Sequence, residues 1–337
     1  MSFEPVRVGC LGMGWWSDVL ADAVTRSGAL RIVACYTRSD QKREAFAAKY
    51  GCRPAASYEA MLEAPDVEAV INTTPNNAHL ETTRAAARAG KHVFLDKPIA
   101  NTVADARALT EACRAAGVVL ALGYQRRREG HFRWIRAQID GGVFGTLVNA
   151  EANISRDRLG KIDVTSWRYT AAGMPGGVML QIGIHYTDVL EYLMGPITAV
   201  SGRLAQLVLP GDNPDVASLV LEHESGALST LNASYASASE YYLLNVYGKQ
   251  ATAYYDLHQG LRVLERGTTG TRPIACPAID PIVAELDEFA AAVRGRGEPE
   301  MNGEKGTASL AVVLAGIQSA REGRRVEVAE VLAAVAC

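Results

Sequence analysis

The chain has 337 residues, more than one ordinary hydrophobic core holds, and this length points to two domains. Hydrophobic residues make up 48% and charged residues 21%, a globular balance, and a formal net charge of -3 leaves no basic excess for nucleic acid or an anionic membrane. No apolar run approaches the roughly 20 residues that span a bilayer, and Met1 to Val6 lacks a basic-then-apolar pattern, so no membrane partner, no secretory signal and a cytoplasmic location are expected.

Val6 to Leu11 is a short apolar run ending in glycines and reads as a buried strand. Trp15 to Ser27 reads as a helix, Leu30 to Tyr36 as a second strand, and Gln41 to Tyr50 as a second helix closed by Gly51. The alternation continues with a strand over Val67 to Thr73, a helix over Ala78 to Ala89, a strand over His92 to Leu95, a helix over Val103 to Ala116 and a strand over Val118 to Leu122. Glycine after a helix suits a left-handed cap. Repeated strand–helix units require a parallel sheet covered on both faces. Past Gly123 the pattern changes. A helix over Glu129 to Ile139 leads into an alternating strand over Leu147 to Ile154, then a polar, irregular stretch from Ser155 to Pro175. Gly183 to Leu193 reads as a helix, and at least five strand-like runs follow between Ala199 and Leu264 with no long helix among them. That succession predicts an antiparallel or mixed sheet. Helices over Ile282 to Val293 and Glu304 to Glu322 close the chain. The expected domains are 1–124 and 125–337, with a return of later helices to the first left open. The six cysteines, Cys10, Cys35, Cys52, Cys113, Cys276 and Cys337, show no metal-site spacing, so reduced thiols and no metal are expected.

Gly12-Met13-Gly14-Trp15-Trp16-Ser17 follows the first strand and opens the first helix. Gly12 permits a tight turn, Gly14 lets the backbone approach a pyrophosphate, and Ser17 is a small residue where helix and strand pack closely. The helix N-terminus offers N–H groups and a positive dipole end to phosphate. In this setting the motif reads as a dinucleotide site, a purely structural turn being the alternative. The second strand ends in Tyr36-Thr37-Arg38-Ser39, with no carboxylate before Asp40. Arg38 can pair with a ribose 2′-phosphate and Thr37 can donate to it, so NADP is favoured over NAD. The plainer reading is a solvated Arg38 and use of either cofactor.

Several later segments occur in one order: Thr73-Thr74-Pro75-Asn76 with His79, Gly90-Lys91-His92-Val93-Phe94, Asp96-Lys97-Pro98, Gly123-Tyr124-Gln125-Arg126-Arg127, Trp167-Arg168, and Gly176-Gly177 through Gly183-Ile184-His185 to Asp188. With the glycine loop they resemble the Gfo/Idh/MocA oxidoreductases over most of the chain. The resemblance implies an α/β protein: an N-terminal Rossmann parallel sheet and a C-terminal α/β domain with a large open, mostly antiparallel sheet. It also implies homodimers or homotetramers paired through that sheet. Asp96-Lys97-Pro98 resembles the family's Glu-Lys-Pro motif and implies a catalytic Lys97, with Asp96 one methylene short of the usual acid and a cis proline plausible. Gln181-Ile182-Gly183-Ile184-His185 resembles an Asp-x-Gly-x-His segment, which leaves His185 as the leading base. Gln181 orients a hydroxyl but cannot serve as a carboxylate base. Asp188 reads as a structural partner. Thr74, Pro75, Asn76 and His79 are implied beside the cofactor, Asn76 being equally readable as a helix cap. Trp15, Trp16, Gln125, Trp167 and Arg168 complete the implied contacts. Arg127 could serve an acidic substrate, whereas most of the run Arg126 to Arg128 reads as solvated or ion-paired; Arg156 and Arg158 could border a substrate pocket but read more plainly as surface charges. Tyr235, Tyr241 and Tyr242 read as part of the open sheet or its interface.

The expected reaction is hydride transfer between NADP or NAD and a secondary alcohol of a sugar, cyclitol or cyclic diol. Two alternatives stay open. One is redox-neutral elimination or glycoside cleavage through transient oxidation, suggested by Gln181 and the stretch Asp157 to Ile162. The other is a noncatalytic NADP-binding regulator. A dihydrodiol or carboxylated aromatic substrate is prompted by the arginines alone.

Overall fold

The computed structural model describes residues 4–160, 163 and 166–334; the expectations placed on Met1 to Phe3, on Lys161 and Ile162 and on Cys337 lie outside them. Two compact units are present, one running to Gln125 and taking in Asp280–Thr307, the other made of Arg126–Ile279 with the segment from Ala308.

In the first unit the chain runs β1 (Val6–Leu11), α1 (Trp15–Ser27), β2 (Leu30–Tyr36), α2 (Asp40–Tyr50), β3 (Arg53–Pro54), α3 (Tyr58–Glu63), β4 (Ala69–Asn72), α4 (His79–Arg88), β5 (His92–Asp96), α5 (Val103–Ala115) and β6 (Leu120–Gly123). The six strands form a parallel sheet in the order β3-β2-β1-β4-β5-β6. The order reverses between β1 and β4, the crevice where such sheets bind ligands. This is the expected Rossmann sheet. β1, β4 and β6 are buried along almost their whole length because helices cover both faces. Leu20, Ala21 and Val24 of α1 pack into one core with Val6, Val8 and Ile32. The sequence reading missed α3, which has six residues and too little length for a period to register. Its start is set by Ser57, whose hydroxyl accepts from the Ala60 N–H at 3.0 Å.

The second unit begins with α6 (Gly130–Asp140), β7 (Leu147–Asp157) and α7 (Ile184–Met194). β8 (Ile197–Ala205), β9 (Val216–His223), β10 (Leu228–Ser234), β11 (Ala236–Gly248), β12 (Ala251–Asp256), β13 (Gly260–Glu265) and β14 (Arg272–Pro273) follow. After α8 (Pro281–Val293) and α9 (Gly303–Glu322) come β15 (Val326–Glu327) and α10 (Val328–Ala333). Nine strands form a sheet in the order β14-β13-β12-β11-β7-β10-β9-β8-β15, parallel between β7 and β10 and antiparallel elsewhere. β9 and β10 alternate strictly. Ala217, Leu219, Leu221, Leu231 and Ala233 are buried, whereas Ser218, Val220, Thr230 and Asn232 are exposed, so one face is open. No described helix is long and apolar enough to cross a membrane.

The expected cut at residue 124 left open a return of later helices to the first domain, and α8 makes that return, grouping with the first unit. Its apolar face explains the return: Leu286, Phe289 and Ala290 enter the core around β1, α1 and β2, with Phe289 edge-on to Phe94 at 5.8 Å. Two ion pairs hold the ends. Asp280, the N-cap of α8, pairs with Arg26 at 2.8 Å, and Arg294 pairs with Glu68 at 2.8 Å. Arg294 and Arg7 together hold the Glu68 carboxyl down at about 2, against an ordinary 4.5. A depressed carboxyl stabilises the fold fully above its unfolded value and loses that contribution as the pH falls through the folded value. Glu68→Gln is therefore expected to cost about 1–2 kcal/mol at neutral pH after allowing for partial exposure. Urea titrations should also show a flatter loss of stability between roughly pH 4.5 and 2 than in the unaltered chain. An identical acid limb would remove Glu68 as the titrating group.

Candidate functional site

Gly12 lies at φ +86°, and a Cβ there would stand 3.0 Å from the carbonyl carbon and oxygen of Thr73. Both backbone conformation and space exclude any side chain. Its N–H donates to the Tyr36 carbonyl at 3.0 Å, tying the turn after β1 to the end of β2. Gly14 is the N-cap of α1 in extended conformation, with no side chain capping the helix and no atom within 4 Å of a hypothetical Cβ. The N-terminus of α1 therefore carries no side-chain cap and the place of a Gly14 Cβ is open, an arrangement that suits a pyrophosphate. Ser17, at the third motif position, is buried against the strand, while Trp15 is 63% exposed and meets Trp16 edge-on at 5.2 Å. At the end of β2, Arg38 is exposed and the Thr37 carbonyl accepts from Arg43 at 3.2 Å. Asp40, the first carboxylate after β2, pairs with Arg43 at 2.9 Å, and Ser39 caps α2.

The loops after β4 and β5 are joined to this turn. The Thr73 hydroxyl bonds to the Leu11 and Gly12 carbonyls at 3.1 and 2.9 Å. The Asn72 side-chain oxygen accepts from the Thr74 N–H and hydroxyl at 3.1 and 2.8 Å. Pro75 precedes a short turn in which Asn76 is buried and donates to the Asn101 side chain at 3.0 Å, so Asn76 is not the helix cap that one reading allowed. His79, expected beside the cofactor, is turned inward. It is 1% exposed, with Nδ1 3.0 and 3.2 Å from the Pro98 and Ile99 carbonyls and Nε2 2.9 Å from the Thr74 carbonyl. It is a strut between the two loops. Burial lowers its basicity and the Lys97 charge lowers it further, against the pull of the three carbonyls. Lys97 follows β5 directly and is half-buried, and its bond to Pro98 is cis. Asp96 ends β5 beside Gly123, and Gln125 opens a short turn through Arg128.

In the second unit, Met179–Gly183 forms a π-helical turn that runs into α7 and carries Gln181. Such turns concentrate at functional sites because they displace side chains from regular helical positions. His185 lies in the first turn of α7, 6% exposed. Tyr235, expected in the sheet or its interface, sits between β10 and β11, 2% exposed, and its hydroxyl donates to Gln181 Oε1. Burial raises that phenol well above its ordinary value. No local pattern announced this pairing, which joins residues 54 positions apart. Tyr242 is buried under the Arg126 guanidinium at 4.5 Å. Arg127, read as a residue for an acidic substrate, is buried in a two-pronged ion pair with Asp188 at 3.0 and 2.5 Å. That pairing consumes both charges and gives Asp188 the structural part expected of it. Trp167 and Arg168 share a short 3-10 turn, with the guanidinium 4.5 Å from the indole centroid. No group of three or more His, Cys, Asp or Glu suited to a metal occurs among the described residues.

Residues 6–124 match the family model of GFO/IDH/MocA oxidoreductases with an NAD-binding Rossmann fold, and residues 132–254 match the GFO/IDH/MocA C-terminal domain. A 1,5-anhydro-D-fructose reductase from Ensifer adhaerens is 29% identical over 94% of this chain and 99% of its own length. A D-apiose dehydrogenase from Paraburkholderia graminis is 30% identical over 93% and 84%. A crystal structure of a candidate NADPH-dependent oxidoreductase from Desulfitobacterium hafniense superposes with a TM-score of 0.94 at 33% identity, covering 98% of this chain and 100% of that one.

The two glycines of the loop separate folding from ligand space. Gly14→Ala meets no neighbour and is expected to keep or slightly raise the melting temperature, because it restricts the unfolded chain. It should still weaken dinucleotide binding by about tenfold or more, since its Cβ enters the space over the helix N-terminus. Gly12→Ala should lose stability and binding together. Thermal melts with calorimetric titration of NADP and NAD check both, and an unimpaired affinity in Gly14→Ala would place the phosphates elsewhere.

Proposed function

The chain belongs to the Gfo/Idh/MocA family of NAD-binding oxidoreductases, and on that premise we propose that it is a dehydrogenase of secondary alcohols on sugars, cyclitols or related cyclic diols. Relatives named for the reduction of an anhydro sugar and the dehydrogenation of a sugar support this substrate class. The carrying observation is the open helix N-terminus over Gly14, joined through Thr73 and His79 to the turn that presents Lys97.

When bound, a nicotinamide dinucleotide supplies the site that takes or gives the hydride. Gly12, Gly14 and the start of α1 would hold its pyrophosphate, with Trp15 and Trp16 bordering it. Thr37 and Arg38 would receive a 2′-phosphate, since the nearest carboxylate, Asp40, is engaged by Arg43. NADP is on this account the preferred cofactor and NAD the second. Thr74, Pro75, Asn76, Asp96, Gln125, Trp167 and Arg168 are assigned contacts by family likeness, whereas His79 acts through the loops it ties. Lys97 donates to the reacting oxygen and stabilises its charge as hydride leaves the carbon. His185 removes or returns the hydroxyl proton, and Gln181 orients a neighbouring hydroxyl. The first unit is the cofactor-binding domain on this reading and the second the substrate-binding domain. Its open sheet face supports pairing of subunits as dimers or tetramers, so Val220→Lys, a charge placed on that face, should lower the mass measured by light scattering.

A screen of polyols, sugars and cyclic diols with NADP and NAD separately tests the proposal. Turnover should form one equivalent of reduced cofactor per product, and catalytic traces of cofactor sufficing for full conversion would argue for a redox-neutral reaction instead. Lys97→Ala should lower kcat by about 10²–10³-fold while dinucleotide binding stays within roughly threefold. Normal turnover in Lys97→Ala would remove the assignment.

A further inference from the structure

The second unit places three arginines around the Tyr235–Gln181 pair. Arg156 and Arg158 lie at the end of β7, and the Arg158 N–H donates to the Tyr235 carbonyl at 2.9 Å. Arg168 lines one cleft together with Tyr169, Gly177 and Tyr235. The positive charges of Arg158, Arg156 and Arg168 all act on the Tyr235 hydroxyl. None of the three makes an ion pair among the described residues, and the Arg156 Nε is buried there without a hydrogen-bond partner. Carboxylates of neighbouring segments are held by other donors. Asp157 accepts from the Leu159 N–H, Asp212 from the Ala171 N–H, Asp215 from the N–H groups of Leu207, Val208 and Leu209, and Glu240 from the Tyr242 hydroxyl. Gln181 adds a neutral amide where the family resemblance leads one to expect an acid.

All three arginines are half-exposed, the Arg156 guanidinium against the Tyr242 ring and that of Arg168 against the Trp167 ring, and a guanidinium to which the chain brings no carboxylate stays open to an anionic ligand. Guanidinium groups match carboxylate and phosphate oxygens in planar, two-pronged geometry. We propose that the substrate carries an anionic group, a sugar carboxylate or sugar phosphate, bound by Arg156 and Arg158. The inference rests on the dehydrogenase reading above and narrows its substrate to an acidic sugar. A neutral residue at position 181 fits the same logic, because an aspartate there would repel the anion.

The test uses cofactor-loaded full-length enzyme and three matched probes, D-glucuronate, D-glucose 6-phosphate and D-glucose, each measured for binding by calorimetry and for cofactor reduction. One of the two anions should bind at least about tenfold tighter than glucose, a preference that shrinks as salt rises. Which anion binds identifies carboxylate or phosphate. Arg156→Gln with Arg158→Gln should abolish the preference, and Arg156→Lys with Arg158→Lys should restore part of it, a pattern that general loss of structure would not produce. Equal binding of all three probes, or a preference that survives the double glutamine variant, overturns the inference while leaving a neutral-sugar dehydrogenase intact. Tight anion binding without oxidation of any polyol or sugar would instead sink the dehydrogenase reading and keep the anion site.

Discussion

A single hydroxyl, that of Thr73, sits where the turns after β1 and β4 meet and bonds to the carbonyls of Leu11 and Gly12. This joint exists only because residue 12 has no side chain, since the Thr73 backbone already occupies the place of a Cβ. From Thr73 the connection runs on through Thr74 to His79, and from His79 to the carbonyls of Pro98 and Ile99. Three loops at the carboxyl edge of the parallel sheet are therefore one hydrogen-bonded assembly. A loop alone at such an edge would sample many positions. Wired in this way, the glycine turn and the turn bearing Lys97 keep a fixed relation, which the proposed hydride transfer would require because small displacements of reacting atoms are expensive in rate.

The first unit was legible because its signals are local. Glycine flanks the apolar runs of β1 and β2, and the glycine that follows α1, α2, α4 and α5 takes the left-handed conformation, as at Gly51 with φ 65°. The motif Gly12-Met13-Gly14 announced the turn, because at Gly12 a positive φ and the Thr73 backbone leave no room for a side chain. What stayed hidden depends on contacts between distant positions. The return of α8 is written as an ordinary amphipathic helix, and nothing in its sequence says which core receives Phe289. His79 read as a cofactor neighbour because its place beside Thr74-Pro75-Asn76 is a statement about sequence. Its burial between two loops is a statement about packing. The Tyr235–Gln181 hydrogen bond belongs to the same class.

The arginines make the distinction sharpest. Arg126, Arg127 and Arg128 form a basic run that reads as solvated or ion-paired, and Arg127 and Arg128 are buried. A buried guanidinium persists only where its charge and its five donors are matched. Arg127 finds Asp188, and Arg126 finds Glu129 at 3.2 Å and the faces of Tyr242 and Tyr186. These charges are spent on architecture, locking the start of α6 to α7 and so fixing the helix that carries His185. Sequence alone cannot tell a spent arginine from an unspent one, because the partner lies 61 residues away.

That criterion, whether the chain supplies the counter-charge, separates the two groups of arginine in the second unit. Arg127 has its carboxylate and cannot be offered to a substrate without stranding Asp188 in the interior, at a cost of several kcal/mol. Arg156, Arg158 and Arg168 have none among the described residues. Their fields converge on a phenol already bound to a neutral amide. An anionic partner for them would also alter how position 181 is understood. In a pocket for neutral polyols, glutamine there is a lost base; in a pocket for acidic sugars it is the residue that admits the ligand. On the proposed reading the proton chemistry would fall to His185, which lies in the first turn of the helix that the Arg127–Asp188 pair anchors.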